Sequence, residues 1–166
     1  MNTTSTMQTQ LDFLRELSDM KARYEESLGW PVSVDVGRRR LVVPAGREFD
    51  AVTMPSHLAE AVRAQLCVAM LWSPLVAAPG GQWLTFLTTP ARASRPNLAA
   101  ELRRARVQLV PRGGQVVIPA SFDTHHDHGE WRWVEPPLPR RALPPWSAVI
   151  AVARRADSGS HHGGAG

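Results

Sequence analysis

The stretch LVAAPGGQWLTFL, Leu75 to Leu87, places two short apolar segments on either side of a Pro-Gly-Gly turn. Leu75 to Ala78 and Trp83 to Leu87 have the length and the residue types of β-strands. The two glycines between them supply the positive φ angles that a tight reversal requires. The stretch therefore predicts an antiparallel hairpin within a larger sheet.

Further strands are predicted on both sides of this hairpin, because short apolar or alternating runs are bounded there by turn residues. They cover Val32–Val36, Leu41–Val43, Phe49–Met54, Val107–Val110, Val116–Ile118 and Trp131–Val134. The first two are expected to form a hairpin. The fourth and fifth are expected to form another around Arg112-Gly113-Gly114.

Helices are predicted between these strands from apolar residues at helical spacing. The predicted helices are Leu11–Leu28, which ends at Gly29, a helix with Ser56 as its N-cap that runs to Trp72, Asn97–Arg104 and Trp146–Arg155. The order of elements predicts an α+β fold, with a mostly antiparallel sheet built from hairpins and helices packed on it.

Composition predicts one domain, since the chain has 166 residues of which 43% are hydrophobic. We expect a flexible N-terminal tail over 1–9, a single domain over 10–155 and a disordered C-terminal tail over 156–166.

The sequence has no long apolar run and no signal peptide at its N-terminus, which predicts a cytoplasmic protein with no membrane partner. The only cysteine, Cys67, lies among apolar residues, which predicts a buried thiol.

Charge is unevenly distributed along the chain. Residues 1–37 carry six acids and three bases, a net −3, and the rest carries sixteen bases and nine acids, a net +7. Eighteen of the nineteen bases are arginine, which suits bidentate contacts to phosphate. The candidate nucleic-acid-binding residues are Arg38, Arg39, Arg40, Arg103, Arg104, Arg106 and Arg112. A solvated basic surface is the commoner explanation of such clusters.

A histidine-rich segment, DTHHDHGEWRW, spans Asp123 to Trp133. His125, His126 and His128 are weak candidates for metal ligands, since imidazole binds transition metals. The segment falls in a connection between strands, with no second set of ligands in view, so a solvated loop is the favoured interpretation. Adventitious metal binding and a catalytic centre are the alternatives.

Six tryptophans are present in the chain. Trp131 and Trp133 stand two apart and therefore face the same way on a strand, and Trp83 on another strand is a candidate to join them. Aromatic side chains beside arginines stack single-stranded bases. The apolar residues around these tryptophans favour a core position instead.

No P-loop, nucleophile elbow, zinc-protease or dinucleotide-binding motif is present in the sequence.

Four blocks, in order, resemble the N-terminal domain of bifunctional DNA primase/polymerases, the prim-pol branch of the archaeo-eukaryotic primase superfamily. The blocks are Tyr24 with Gly29-Trp30-Pro31-Val32, APGGQWLTFLTTP (78–90), VQLVPRGGQVVIPAS (107–121) and GEWRW (129–133). They cover about half of the chain. The resemblance implies an RRM-like antiparallel sheet with packed helices, and it assigns the histidine-rich segment to a variable loop.

The resemblance also implies where a two-metal nucleotidyl-transfer site would lie, and this sequence departs from the family there. The family's aspartate pair corresponds to Asp50 and Val52, the histidine of its GG-x-H motif to Trp83, and its third acid to Gln108. Since an apolar residue, an indole and an amide cannot replace those groups, metal-dependent polymerisation is expected to be lost.

The sequence therefore predicts a non-catalytic prim-pol-like module without a cofactor, which binds single-stranded nucleic acid through its arginines or binds a protein partner. One alternative is a protein-interaction adaptor that uses the proline-rich segment Pro136–Pro145. Another is an unrecognised metal-dependent enzyme that uses the loop His125–His128. The sequence does not specify an oligomeric state.

Overall fold

A computed structural model of the protein describes residues 3–91, 98–124 and 129–160, with side chains from residue 6 to residue 159. The elements in chain order are α1 (Thr3–Leu28), β1 (Ser33–Asp35), β2 (Arg40–Pro44), β3 (Asp50–Pro55), α2 (Ser56–Val68), β4 (Leu75–Ala77), β5 (Trp83–Thr88), α3 (Ala100–Arg104), β6 (Gln108–Leu109), β7 (Gln115–Ile118), β8 (Arg132–Glu135) and α4 (Trp146–Ser160). The α+β class is confirmed.

The strands form two antiparallel sheets, not the single sheet predicted. The larger has the order β6-β3-β5-β4-β8, and the smaller has the order β1-β2-β7. The predicted hairpin β4–β5 is confirmed, with Val76 opposite Thr85. The predicted hairpin β1–β2 is confirmed as well, with Val34 opposite Leu41.

The third predicted hairpin, β6–β7, is wrong, because its two strands belong to different sheets. β6 pairs with β3, and β7 pairs with β2. The turn between them bonds to a third segment: Gly113 N donates to Ala45 O at 2.9 Å, and Ala45 N donates to Gly114 O at 2.8 Å. These bonds direct the chain towards β2 instead of back along β6.

The helix boundaries also differ from the predicted ones. α1 begins at Thr3, within the segment predicted to be a tail, and α4 continues to Ser160. The N-cap of α2 is Pro55, without a side-chain cap bond, and Ser56 is its first helical residue. α2 ends at Val68 because Met70 adopts a left-handed conformation with φ 54°.

Two apolar cores lie on the two faces of the larger sheet. On one face, α2, α3 and α4 cover residues such as Met54, Leu75 and Phe86. On the other, α1 and the smaller sheet enclose a core that includes Tyr24 and Trp133. Strand alternation supplies both faces, since successive side chains point to opposite sides.

Cys67 is exposed, so the predicted burial of its thiol is wrong. The buried side of α2 is formed by Leu58, Ala59, Val62 and Leu66, and the residue after Leu66 turns away from that side.

No helix within the described residues is long and apolar enough to cross a membrane.

Candidate nucleic-acid interface

A cleft of about 340 Å³ lies between β7 of the smaller sheet and the strands β3, β5 and β6 of the larger sheet. Its walls carry two indoles, two hydroxyls and two amides. These belong to Trp83, Trp131, Thr53, Thr85, Gln108 and Gln115. We refer to it as the inter-sheet cleft.

Strand pairing brings three of these polar residues into one row. Thr53 of β3 lies opposite Thr85 of β5 and opposite Gln108 of β6. The two threonine hydroxyls are hydrogen-bonded at 2.9 Å between their Oγ1 atoms. The row therefore forms a polar floor that runs from the buried Thr85 through the half-buried Thr53 to the exposed amide of Gln108.

Trp83 joins this floor because it stands two residues before Thr85 on β5 and therefore points to the same face. It is half-buried. Trp131, just before β8, lines the cleft as well. Trp133, by contrast, is fully buried in the core, so only two of the three tryptophans that the sequence grouped together reach the cleft.

A basic surface adjoins the inter-sheet cleft at Trp83. The Cζ atom of Arg106 lies 5.9 Å from the centre of a Trp83 ring, within the range of a cation–π contact. Arg104 and Arg106 also line a neighbouring depression of about 420 Å³ at the start of α2, together with His57 and Gln82. The N-terminal end of a helix favours anions, as do the two guanidinium groups.

The candidate arginines Arg38, Arg39 and Arg40 lie away from the inter-sheet cleft, on the smaller sheet. Arg38 and Arg40 contact the same Asp35 carboxylate, with Nη1 of Arg38 at 3.6 Å and Nε of Arg40 at 3.2 Å from Oδ2. The backbone N–H of Arg38 and the guanidinium of Arg40 both lower the pKa of Asp35. Arg39 lies over the ring of Phe13 at 5.4 Å. This group sits on the β1–β2 turn of the smaller sheet.

Arg103 is exposed on α3, one residue before Arg104. The guanidinium of Arg112 donates to the carbonyl oxygen of Ala91. The structure therefore gathers Arg104 and Arg106 beside the inter-sheet cleft, whereas the triplet Arg38–Arg40 lies in a different sheet.

The positions singled out by the prim-pol resemblance are only partly brought together. Trp83 and Gln108 line the same cleft. Val52 points to the opposite face, into the core beneath α2. Asp50 is buried, and its Oδ2 accepts a hydrogen bond from Ala91 N at 2.9 Å. The residue of β3 that faces the cleft is Thr53.

Sequence reasoning missed Thr53, Thr85 and Gln115 as members of the site. The signal for the first two was the alternation along β3 and β5, which puts them on the face of Trp83. Gln115 gave no such signal, because its place depends on the pairing of β7 with β2.

His125, His126 and His128 lie outside the described residues. Within the described ranges, no group of three or more His, Cys, Asp or Glu side chains is arranged to hold a metal ion.

Comparison with known proteins gives no match: no family profile, no curated protein and no solved structure matches the chain significantly.

Proposed function

We propose that the protein is a non-catalytic prim-pol-like module that binds single-stranded nucleic acid in the inter-sheet cleft. The observation that carries the proposal is the Arg106 guanidinium over the Trp83 ring, at the point where the aromatic cleft meets the basic depression. An aromatic surface beside a cationic one matches the two halves of a nucleotide, the base and the phosphate.

The aromatic half of the site suits unpaired bases. Trp83 and Trp131 line one cleft and are both partly exposed. Base–aromatic stacking contributes about 1–3 kcal/mol per base and accepts any base, since every base has a π-face. The amides of Gln108 and Gln115 donate and accept hydrogen bonds along base edges.

The basic half of the site suits the phosphates. Arg104, Arg106 and the first turn of α2 surround one depression. Arginine binds phosphate through paired N–H groups, and a helix N-terminus adds a partial positive charge. Arg103 is exposed next to Arg104 on α3 but does not line this depression.

The absence of catalysis is inferred from the residues that stand where the prim-pol resemblance expects metal ligands. Trp83 and Gln108 offer an indole N–H and an amide, which cannot replace a histidine and a carboxylate as metal ligands. Thr53, the residue of β3 that faces the cleft, carries a neutral hydroxyl.

Fluorescence anisotropy with labelled single-stranded oligonucleotides tests the proposal. Trp83→Leu removes the aromatic ring and keeps an apolar side chain, and we expect it to weaken binding about tenfold or more. Arg106→Gln is expected to reduce the slope of log affinity against log salt by about 0.7, the value for one phosphate contact on a single strand.

Two matched controls lie outside the cleft. Arg39 resembles Arg106, since it also has a positive φ and also lies over an aromatic ring, so Arg39→Gln should leave the salt slope unchanged. Trp72→Leu removes a partly exposed tryptophan outside the cleft and should leave the affinity unchanged. A parent protein without affinity at low salt, or equal effects of Arg39→Gln and Arg106→Gln, would overturn the proposal.

A further inference from the structure

A second cleft, the α2–β8 cleft, lies on the helix-covered side of the larger sheet. It has a volume of about 530 Å³, which is within the range of sites for small organic molecules. Leu66 of α2, Leu71 and Phe86 of β5 are among its apolar lining residues. It is separate from the inter-sheet cleft, because Phe86 points to the face opposite Thr85.

Apolar lining residues also reach the surface. Met70 lines the cleft and is 90% exposed. Its left-handed backbone, which ends α2, turns it away from the buried side of that helix. Trp72 is half-buried and forms another part of the wall. An apolar ligand would therefore remove the accessible apolar surface of Met70, Leu71 and Trp72 from water.

The two arginines that line the α2–β8 cleft, Arg63 and Arg141, differ in their ion pairing. Arg63 contacts two carboxylates: its Nη1 lies 3.6 Å from Glu60 Oε2, and its Nε donates to Glu135 Oε1 at 3.0 Å. These acids raise the pKa of Arg63, Glu135 most strongly. The cation is therefore neutralised within the protein.

Arg141 is different. Its Cζ lies 4.8 Å from the centre of a Trp72 ring, and no carboxylate of the described residues forms an ion pair with it. A cation–π contact uses none of the N–H groups of a guanidinium as hydrogen-bond donors to a carboxylate, so these groups are available for a bidentate anion.

From the apolar walls and this available guanidinium, we propose that the α2–β8 cleft binds a small organic carboxylate with an aromatic or branched aliphatic body. The apolar body contacts Met70, Leu71 and Trp72, and the carboxylate pairs with Arg141. The site does not depend on nucleic-acid binding, since the two clefts lie on opposite faces of the sheet.

Nuclear magnetic resonance with two matched probes tests this site. Protein labelled with ¹³C at its methionine methyl groups is titrated with 3-phenylpropionate and with its neutral analogue 3-phenylpropionamide, and the Met70 signal is assigned with Met70→Leu. We expect a saturable shift of the Met70 signal with the carboxylate. The amide should bind about tenfold more weakly, because it lacks the charge-assisted hydrogen bonds.

The matched variants are Arg141→Gln and Arg140→Gln. Arg140 is the adjacent arginine, and it lines a neighbouring depression instead of the α2–β8 cleft. Arg141→Gln should abolish the preference for the carboxylate over the amide, and Arg140→Gln should retain it. Equal affinities for the two probes in the parent protein, or a preference that survives in Arg141→Gln, would overturn the proposal.

A second measurement needs no variant. Cys67 is the only cysteine in the chain, is exposed and lines the α2–β8 cleft. Saturating 3-phenylpropionate should therefore slow its alkylation by N-ethylmaleimide, and 3-phenylpropionamide at the same concentration should slow it less. An alkylation rate unaffected by either probe would contradict ligand binding in this cleft.

Discussion

Trp133 and Tyr24 are joined by a buried hydrogen bond between residues far apart in the sequence. Nε1 of Trp133 donates to the Tyr24 hydroxyl at 2.7 Å, and that hydroxyl donates to the carbonyl oxygen of Pro119 at 2.8 Å. Both side chains are fully buried. One hydroxyl thus connects α1, β8 and the segment that follows β7.

Tyr24→Phe should destabilise the protein while preserving its shape. The substitution leaves the Trp133 N–H and the Pro119 carbonyl without this partner, and an unsatisfied buried group costs about 1–3 kcal/mol. Urea unfolding measures the loss in the free energy of unfolding. A change below about 0.5 kcal/mol, the size typical of neutral surface substitutions, would show that the hydroxyl does not bridge these elements.

Tyr24 should remain protonated in the folded protein well above pH 10. Burial raises the pKa of its hydroxyl above the ordinary value of 10.0. Because the folded pKa is the higher one, the stabilisation is complete below pH 10 and is lost as pH rises from there towards the folded pKa.

Tyr24 is the only tyrosine, so tyrosinate absorbance reports this hydroxyl alone. In an alkaline titration the absorbance should rise together with loss of tertiary structure, and urea-unfolded protein should titrate near pH 10. Ionisation near pH 10 in the folded protein would contradict the buried hydrogen bond.

Gly114→Ala should destabilise the turn that separates β6 from β7. A Cβ at Gly114 would lie 2.8 Å from the Pro111 carbonyl oxygen, so backbone would have to move, and such overpacking costs about 1–3 kcal/mol. Gly37→Ala is the control, because its nearest contact is the Asp35 carboxylate at an ordinary 3.7 Å. Equal unfolding free energies for the two variants would refute the tight packing of this turn.

The purified protein should neither extend nor synthesise a primer with magnesium or manganese. The reason is chemical: the cleft positions that the proposed prim-pol resemblance would match to metal ligands carry Trp83 and Gln108, an indole and an amide. An active polymerase added to the same reaction mixture provides the control for template and nucleotides. Template-directed synthesis by the purified protein alone would contradict the proposed absence of catalysis.

Local features of the chain were readable from sequence. The β4–β5 hairpin and the β1–β2 hairpin each close over a few residues, so turn chemistry and apolar alternation were sufficient to predict them. The end of α1 before Gly29 was readable for the same reason, since Gly29 adopts the positive φ of 69° common just beyond a helix end.

Pairings between distant segments were not readable. Residues 107–118 have the pattern of a hairpin, yet hydrogen bonds from Ala45 to the turn direct β7 into the other sheet. The candidate site shows the same difference between what the sequence indicates locally and what distant strand pairing decides. Trp83 stood out by composition, whereas Thr53 and Gln108 became its neighbours only through the pairing of β3 with β5 and β6.

The sequence by itself determined the α+β class, both short hairpins and the excess of arginine, because these depend on local conformation and composition. The tertiary structure alone decided that there are two sheets, that Cys67 is exposed and that Arg104 and Arg106, not Arg38 to Arg40, adjoin the inter-sheet cleft. The physical reason is that strand partners are chosen by the joint burial of faces from distant segments, and no local pattern encodes that choice.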